Sequence, residues 1–304
     1  MAARPDRLTL AAFVAMVLLA GANAVGVRLT VAEMPPLWGA TIRFALAGGL
    51  LAVVMIATRR PIPRGDRLVG SALFGVLGFG LAYSLIYVAL QDAPAGTAQL
   101  MLSVTPLLTL FLARLHGVEQ IRKLAIVGAV IAAAGIAIVV GDQVTLDVPV
   151  LALLMLLGTA ACAAESNVIV KRFPPGDPVA ANAVGMLLGA TLLGTLSVVL
   201  GEPHVLPERP ETWVAIGYLV VFGSVAVFIL ALYVLSRWTA SATSYSFLLF
   251  PLITIVLGAL ILAEPVQPTF LIGGALVLAG VYVGAVYRPR RRLVDPLEAV
   301  PDTS

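Results

Sequence analysis

The chain has 304 residues, 60% of them hydrophobic and 12% charged, with a formal net charge of +3 and a mean hydropathy of +1.03. That charged share is about half of what an ordinary soluble domain carries, so a water-soluble globule is excluded and the chain reads as a membrane protein.

Windows of about 20 apolar residues, enough to cross a hydrocarbon core of about 30 Å, fall at ten places. They are Leu8 to Thr30, Pro36 to Thr58, Leu68 to Leu90, Ala93 to Arg114, Arg122 to Gly141, Pro149 to Lys171, Pro178 to Leu200, Thr212 to Leu235, Ala240 to Leu262 and Thr269 to Tyr287. The expected fold is an all-α integral membrane protein with ten transmembrane helices. At the first of them, Arg4 and Arg7 precede an apolar run, and Ala22-Asn23-Ala24 imitates a signal-peptidase site. The apolar stretch runs past that site to Thr30, and its removal would leave one half a helix short of the other, so helix 1 is expected to be retained.

The connections are too short to hold a nucleotide-binding domain, and no glycine-rich loop ends in Gly-Lys-Ser/Thr. ATP-driven transport by this chain alone is thereby excluded. The single cysteine, Cys162, and the two histidines, His116 and His204 in separate predicted loops, give no zinc-site spacing. Neither metal nor cofactor is expected.

Residues 89 to 140 return without a gap as residues 234 to 285. At a constant offset of 145, Pro106 matches Pro251, Thr109 matches Thr254, Glu119 matches Glu264, Gly128 matches Gly273 and Gly135 matches Gly280. With Leu90, Ala95, Leu107, Leu112, Leu115 and Ala134, the identities come to 11 in 52 positions. The charges run the other way: Arg114, Arg122 and Lys123 face Ala259, Gln267 and Pro268, whereas Asp92 faces Arg237. A unit that keeps its apolar pattern but exchanges its cations reads as two halves inserted upside down to each other. The expected organisation is a five-helix repeat over residues 1–146, an inverted second over 147–287, and a basic, then acidic, cytoplasmic tail over 288–304.

With the N-terminus placed in the cytoplasm, 16 of the 19 lysines and arginines fall in cytoplasmic segments, and the outer loops hold only Arg209. This positive-inside bias predicts that both termini are cytoplasmic. It also accounts for the pI of about 9.2 without a nucleic-acid partner. Anionic membrane lipid is the expected contact of the tail.

Several motifs carry a family resemblance. The segment Ala89 to Val140, with Ser103-Val104-Thr105-Pro106-Leu107-Leu108, then Gly117-Val118-Glu119 and Gly128 to Gly135, resembles the EamA repeat of the drug/metabolite transporter superfamily. The copy at Leu248 to Gly280, with Phe250-Pro251-Leu252 and Ala263-Glu264, is similar, as are Gly21-Ala22-Asn23 on helix 1 and Pro35-Pro36 with Arg43 on helix 2. The chain departs from that pattern at Ala20, where the family has tryptophan, and at His116-Gly117-Val118 of the first corner. The resemblance implies ten helices in two inverted repeats and a multi-pass carrier of small metabolites in the cytoplasmic (inner) membrane. Within the superfamily it extends to the YddG-like amino-acid exporters, although no motif separates that branch from its neighbours.

Polar side chains within spans are costly, so each needs a partner or a wet cavity. Glu165 stands six residues before Lys171, about 9 Å from the cytoplasmic end. It either pairs with a neighbouring cation or lines the cavity and meets a substrate amine or a proton. Helices 1 and 6 repeat at offset 144, where Asn23 meets Asn167. These asparagines either gate the two mouths of one cavity or bond neighbouring helices. Arg43, roughly 10 Å deep, either snorkels to the outer interface or binds a substrate carboxylate. Tyr83 with Tyr87, and Gln99 with Ser103, share helix faces, and Tyr245 aligns with Leu100 in the first copy. Such residues suit an aromatic pocket or plain helix packing. Pro106 and Pro251 fall near the span centres, as hinges or static kinks. Glu119 and Glu264 are expected to favour the first turns of helices 5 and 10.

Together these residues and the resemblance indicate a secondary transporter or facilitator of small amphipathic metabolites, amino acids foremost and moved outward, working by alternating access. Coupling to protons and no coupling both stay open. Another substrate of the superfamily is the alternative, whether a drug, a polyamine or a sugar derivative. An integral-membrane enzyme would need convergent catalytic groups, which two separated histidines and one embedded acid do not supply.

Overall fold

The computed structural model describes residues 6–93, 95–141, 148–262 and 268–287, and these form no strand. Helices follow in the order α1 (Arg7–Val31), α2 (Pro36–Ala57), α3 (Asp66–Ala89), α4 (Thr97–Leu115), α5 (Lys123–Val139), α6 (Val150–Arg172), α7 (Pro178–Val199), α8 (Pro210–Arg237), α9 (Ala240–Leu257) and α10 (Pro268–Val286). Among the described residues, all but α5 are long and apolar enough to cross a membrane. At 17 residues α5 is a shorter apolar helix, about 25 Å long at about 1.5 Å per residue. The tail over 288–304 and Glu264 lie outside the described residues.

Helix starts follow from local chemistry. Proline opens α2, α7, α8 and α10, where its missing N–H leaves no helical bond unmade. At α1 the Asp6 carboxylate accepts from the Thr9 amide at 2.6 Å, a bond that holds its pKa below the usual value. Two further caps come from distant segments. Glu202, after α7, accepts from Leu37 N at 3.1 Å and Trp38 N at 2.8 Å at the start of α2. Glu119, after α4, accepts from the Ala240 and Ser241 amides and the Ser241 hydroxyl at the start of α9. The first turn that Glu119 serves is thus that of α9 in the second repeat, not that of α5. Glu119→Ala is expected to cost about 1–2 kcal/mol, the usual worth of a cap whose acceptor is charged. Thermal unfolding of the purified variant checks this, and an unchanged midpoint would show the cap to be energetically idle.

The packing mixes the two halves. Helix α2 lies on α7, and α5 lies on α10. Helix α1 packs on α8 and α9, while α6 packs on α3 and α4. Each half therefore lends its first helix to the third and fourth helices of the other. The α5–α10 contact is close because glycines meet there. A Cβ at Gly135 would stand 2.6 Å from the Gly273 carbonyl, and one at Gly280 would stand 2.5 Å from the Ala132 amide. Large apolar side chains such as Val214, Leu260 and Leu271 face outward, as a lipid-facing surface requires.

Polar ties collect at the two ends of the bundle. At one end Arg60 meets Asp177, Arg237 meets Asp6 at 3.9 Å, and Arg122 donates to the Tyr287 carbonyl at 3.0 Å. At the other, Arg209 meets Glu33 at 2.9 Å, and Trp38 donates to the Val205 carbonyl at 2.9 Å. A second correspondence between the halves lies in mid-helix. The α-helical ladder widens to a π-helix over Val76–Leu81 in α3 and over Val221–Ala226 in α8, again at an offset of 145. Such widenings frequently mark functional sites.

Candidate functional site

The π segment of α8 organises a polar cluster inside the bundle. Arg43, on α2, is 3% exposed. Its Nε donates to Ser224 Oγ and its Nη2 to the Gly223 carbonyl, both at 2.8 Å. Asn23, on α1, donates through Nδ2 to the same carbonyl at 3.1 Å. No side chain fits at residue 223, because a Cβ there would overlap the Asn23 amide. Arg43 therefore turns into the bundle instead of snorkelling to the interface, and four helices meet around it.

Aromatic rings close the other side of the guanidinium. Its carbon lies 5.0 Å from the Phe44 ring centre and 5.7 Å from that of Tyr83, within cation–π range. Phe44 and Tyr83 stand edge to face at 4.7 Å, and Tyr83 lies 6.0 Å from the buried Tyr87. The ion pairs among the described residues are Arg60–Asp177, His116–Glu165, Arg209–Glu33 and Arg237–Asp6. None of them supplies Arg43 with a carboxylate. The site is a desolvated cation with aromatic walls and neutral hydrogen-bond partners, an arrangement suited to an incoming anion. Beside it Asn23 Oδ1 is buried and has no hydrogen-bond partner among the described residues.

The structure thus gathers Asn23, Arg43, Tyr83 and Tyr87 in one place. Glu165 is elsewhere: its Oε1 lies 3.0 Å from His116 Nε2, at the end of α4. Half-buried Asn167 follows two positions later on α6. The remaining three candidates join neither group. Ser103 is buried and its hydroxyl bonds to the Leu100 carbonyl at 2.6 Å, while Gln99 is half-buried one turn earlier. Tyr245 is fully buried, with its hydroxyl donating to the Ala125 carbonyl of α5, so it serves helix packing. Pro106 follows a turn at Ser103 and Val104 and opens a fresh helical segment, whereas Pro251 lies inside a continuing helix whose break comes earlier, at Tyr245.

Gly223 and Ser224 were not among the residues that the sequence pointed to. A signal existed: the 145 offset, carried eleven positions further toward the N-terminus, pairs Gly78 with Gly223. The sequence places His116 in a loop, and nothing in its spacing from Glu165 gives the pair away. A cleft of about 750 Å³ lies at the bundle end between Pro61–Arg67 and Pro174–Asp177, and no residue of either group lines it.

Comparison with known proteins settles the family. The model of the EamA-like transporter family matches residues 7–141 and again 150–285. The chain belongs to the EamA-like transporter family, within the drug/metabolite transporter superfamily. It is 30% identical over 291 residues to the uncharacterized inner membrane transporter YedA of Escherichia coli K12, covering 94% of each chain. It is 26% identical to the uncharacterized transporter YyaM of Bacillus subtilis, over 84% of this chain and 86% of that one. A crystal structure of a 19% identical protein superposes with a TM-score of 0.79 over 94% of this chain and 100% of its own, which shows a shared fold. This EamA-like chain is a transporter and a multi-pass protein of the cytoplasmic membrane.

Proposed function

We propose that the chain is a secondary transporter or facilitator that moves small amphipathic metabolites bearing a carboxylate, amino acids foremost and outward, by alternating access. In this reading all ten helices cross the membrane as two inverted repeats, with both termini in the cytoplasm. The bundle end that carries Arg60, Arg122 and Arg237 is then the cytoplasmic one. The observation that carries the substrate class is Arg43, a buried guanidinium with no carboxylate among the described residues. A buried charge without a counter-ion costs several kcal/mol (roughly) unless something repays it, and a substrate carboxylate does so. Asn23 Oδ1, an unfilled acceptor on the same Gly223 carbonyl network, suits the ammonium of an amino acid. Export, as opposed to uptake, rests on the resemblance to the amino-acid exporters alone.

The second reading is a cationic substrate, such as a polyamine or a drug, which the aromatic rings and Glu165 would favour. Purified protein in liposomes separates the two. Counterflow is expected with amino acids and not with the amines made by removing their carboxyl groups. Exchange of the amines and none of the acids would defeat the carboxylate reading and favour the cationic one.

A further inference from the structure

We propose that the His116–Glu165 pair is a proton-binding site that links substrate transport to proton movement, an inference that rests on the transport reading above. The pair joins the halves of the molecule. His116 ends α4 of the first half, and Glu165 lies on α6 of the second, seven residues before Arg172. Their Nε2–Oε1 separation is 3.0 Å, with 26% and 21% of the two side chains exposed. Water can therefore reach the pair, yet most of each side chain is shielded. Glu165 Oε2 is buried and has no hydrogen-bond partner among the described residues. The carboxylate is thus held through one oxygen, and its other oxygen is left with an unmet desolvation cost.

The chemistry of the contact depends on that proton. With imidazolium against carboxylate, the bond is charge-assisted and strong. After one proton leaves, the neutral ring keeps only an ordinary bond in one tautomer, and in the other it presents a lone pair to the carboxylate. The two groups share their protons as a pair. Helix α6 of the second half packs on α3 and α4 of the first, and this pair ties α6 to α4 at this end. The proton therefore decides whether the halves stay tied there. One proton taken up from one side of the membrane and released to the other balances each cycle, with no other reactant.

Other charges at this end do not offer the same behaviour. Arg172 Nη1 lies 3.4 Å from the His116 carbonyl, and Arg114 sits just before the corner on α4. Lys171 is half-buried near the end of α6, and Glu119 is tied to the start of α9. Asp66 and Arg67 open α3, and Arg237 closes α8 near Asp6. Among the described residues none of these charges forms an ion pair across α4 and α6.

A substrate-free experiment tests the tie. In a Cys162→Ala background, spin labels at Leu115→Cys and Pro175→Cys, both exposed positions, report the separation of α4 and the α6 end in nanodiscs. The distance distribution is expected to shift between about pH 5 and about pH 8, and to stay fixed in Glu165→Gln and in His116→Gln. Using two variants guards against one that fails to fold. A parent distribution insensitive to pH, or one that moves as far in both variants, overturns the proposal. In liposomes, any substrate showing counterflow should move protons, read by a trapped pH dye. His116→Gln should keep counterflow and lose that proton movement; proton movement retained in His116→Gln would also overturn it. Since the labels need no substrate, an amino-acid panel without counterflow defeats the substrate reading alone.

Discussion

Replacing Arg43 by glutamine is expected to reduce amino-acid counterflow by at least about 30-fold while leaving the protein as stable as its parent or more so. The two halves of that expectation have opposite physical origins. Removing one partner of a desolvated, charge-assisted pair costs about 2–5 kcal/mol of binding, and about 1.4 kcal/mol corresponds to tenfold. In the empty protein, however, the guanidinium is 3% exposed, and among the described residues its hydrogen-bond acceptors are Ser224 Oγ and the Gly223 carbonyl, with ring faces beside it. A neutral side chain of similar length sheds the desolvation cost and still donates one hydrogen bond. Thermal unfolding and counterflow on the same preparation read both halves. Loss of transport together with a much lower unfolding midpoint would mean that Arg43 is a structural residue.

Gly135→Val is expected to have the largest effect on the fold. The new Cβ would meet backbone atoms, Gly273 O at 2.6 Å and Val277 N at 2.8 Å, not the end of a yielding side chain. Helices α5 and α10 would have to separate, with overpacking costs of about 1–3 kcal/mol or more added to lost contacts between the halves. Gly49→Ala is the control, because a Cβ there meets nothing within 4 Å. The expected outcome is aggregation or a sharply lowered unfolding midpoint for Gly135→Val and parental behaviour for Gly49→Ala. Equal behaviour of the two on size-exclusion chromatography would contradict the close crossing.

Helix positions were legible because a lipid solvent leaves a strong signal: apolar runs about 20 residues long, closed by arginines or prolines. Asp66–Ala89 and Pro210–Arg237 start and end within two residues of the windows read from the sequence. The glycines at Gly128, Gly135, Gly273 and Gly280 were legible too, since their spacing of seven puts them on one helix face, and they meet across α5 and α10. What the sequence hid was partner choice. Glu119 looked local to α5 but bonds to α9, because chain neighbours and spatial neighbours diverge where two halves exchange helices. Gly21 and Glu165, paired at offset 144, show the same divergence. Gly21 is filled by Ile253 of α9, whereas the matching place on α6 carries a carboxylate bound to His116. The two π segments share Val76 with Val221 and Gly78 with Gly223 at the 145 offset, but nothing in that pattern ties Gly223 to Arg43.

The contact between Arg43 and a substrate carboxylate can be measured as an interaction by removing each partner in turn. Counterflow of an amino acid and of its carboxamide should be compared in the parent and in Arg43→Gln. The parent is predicted to prefer the acid by at least about tenfold, or about 1.4 kcal/mol, and the variant to treat the two alike. An acid-to-amide preference of the same size in both proteins would contradict the account.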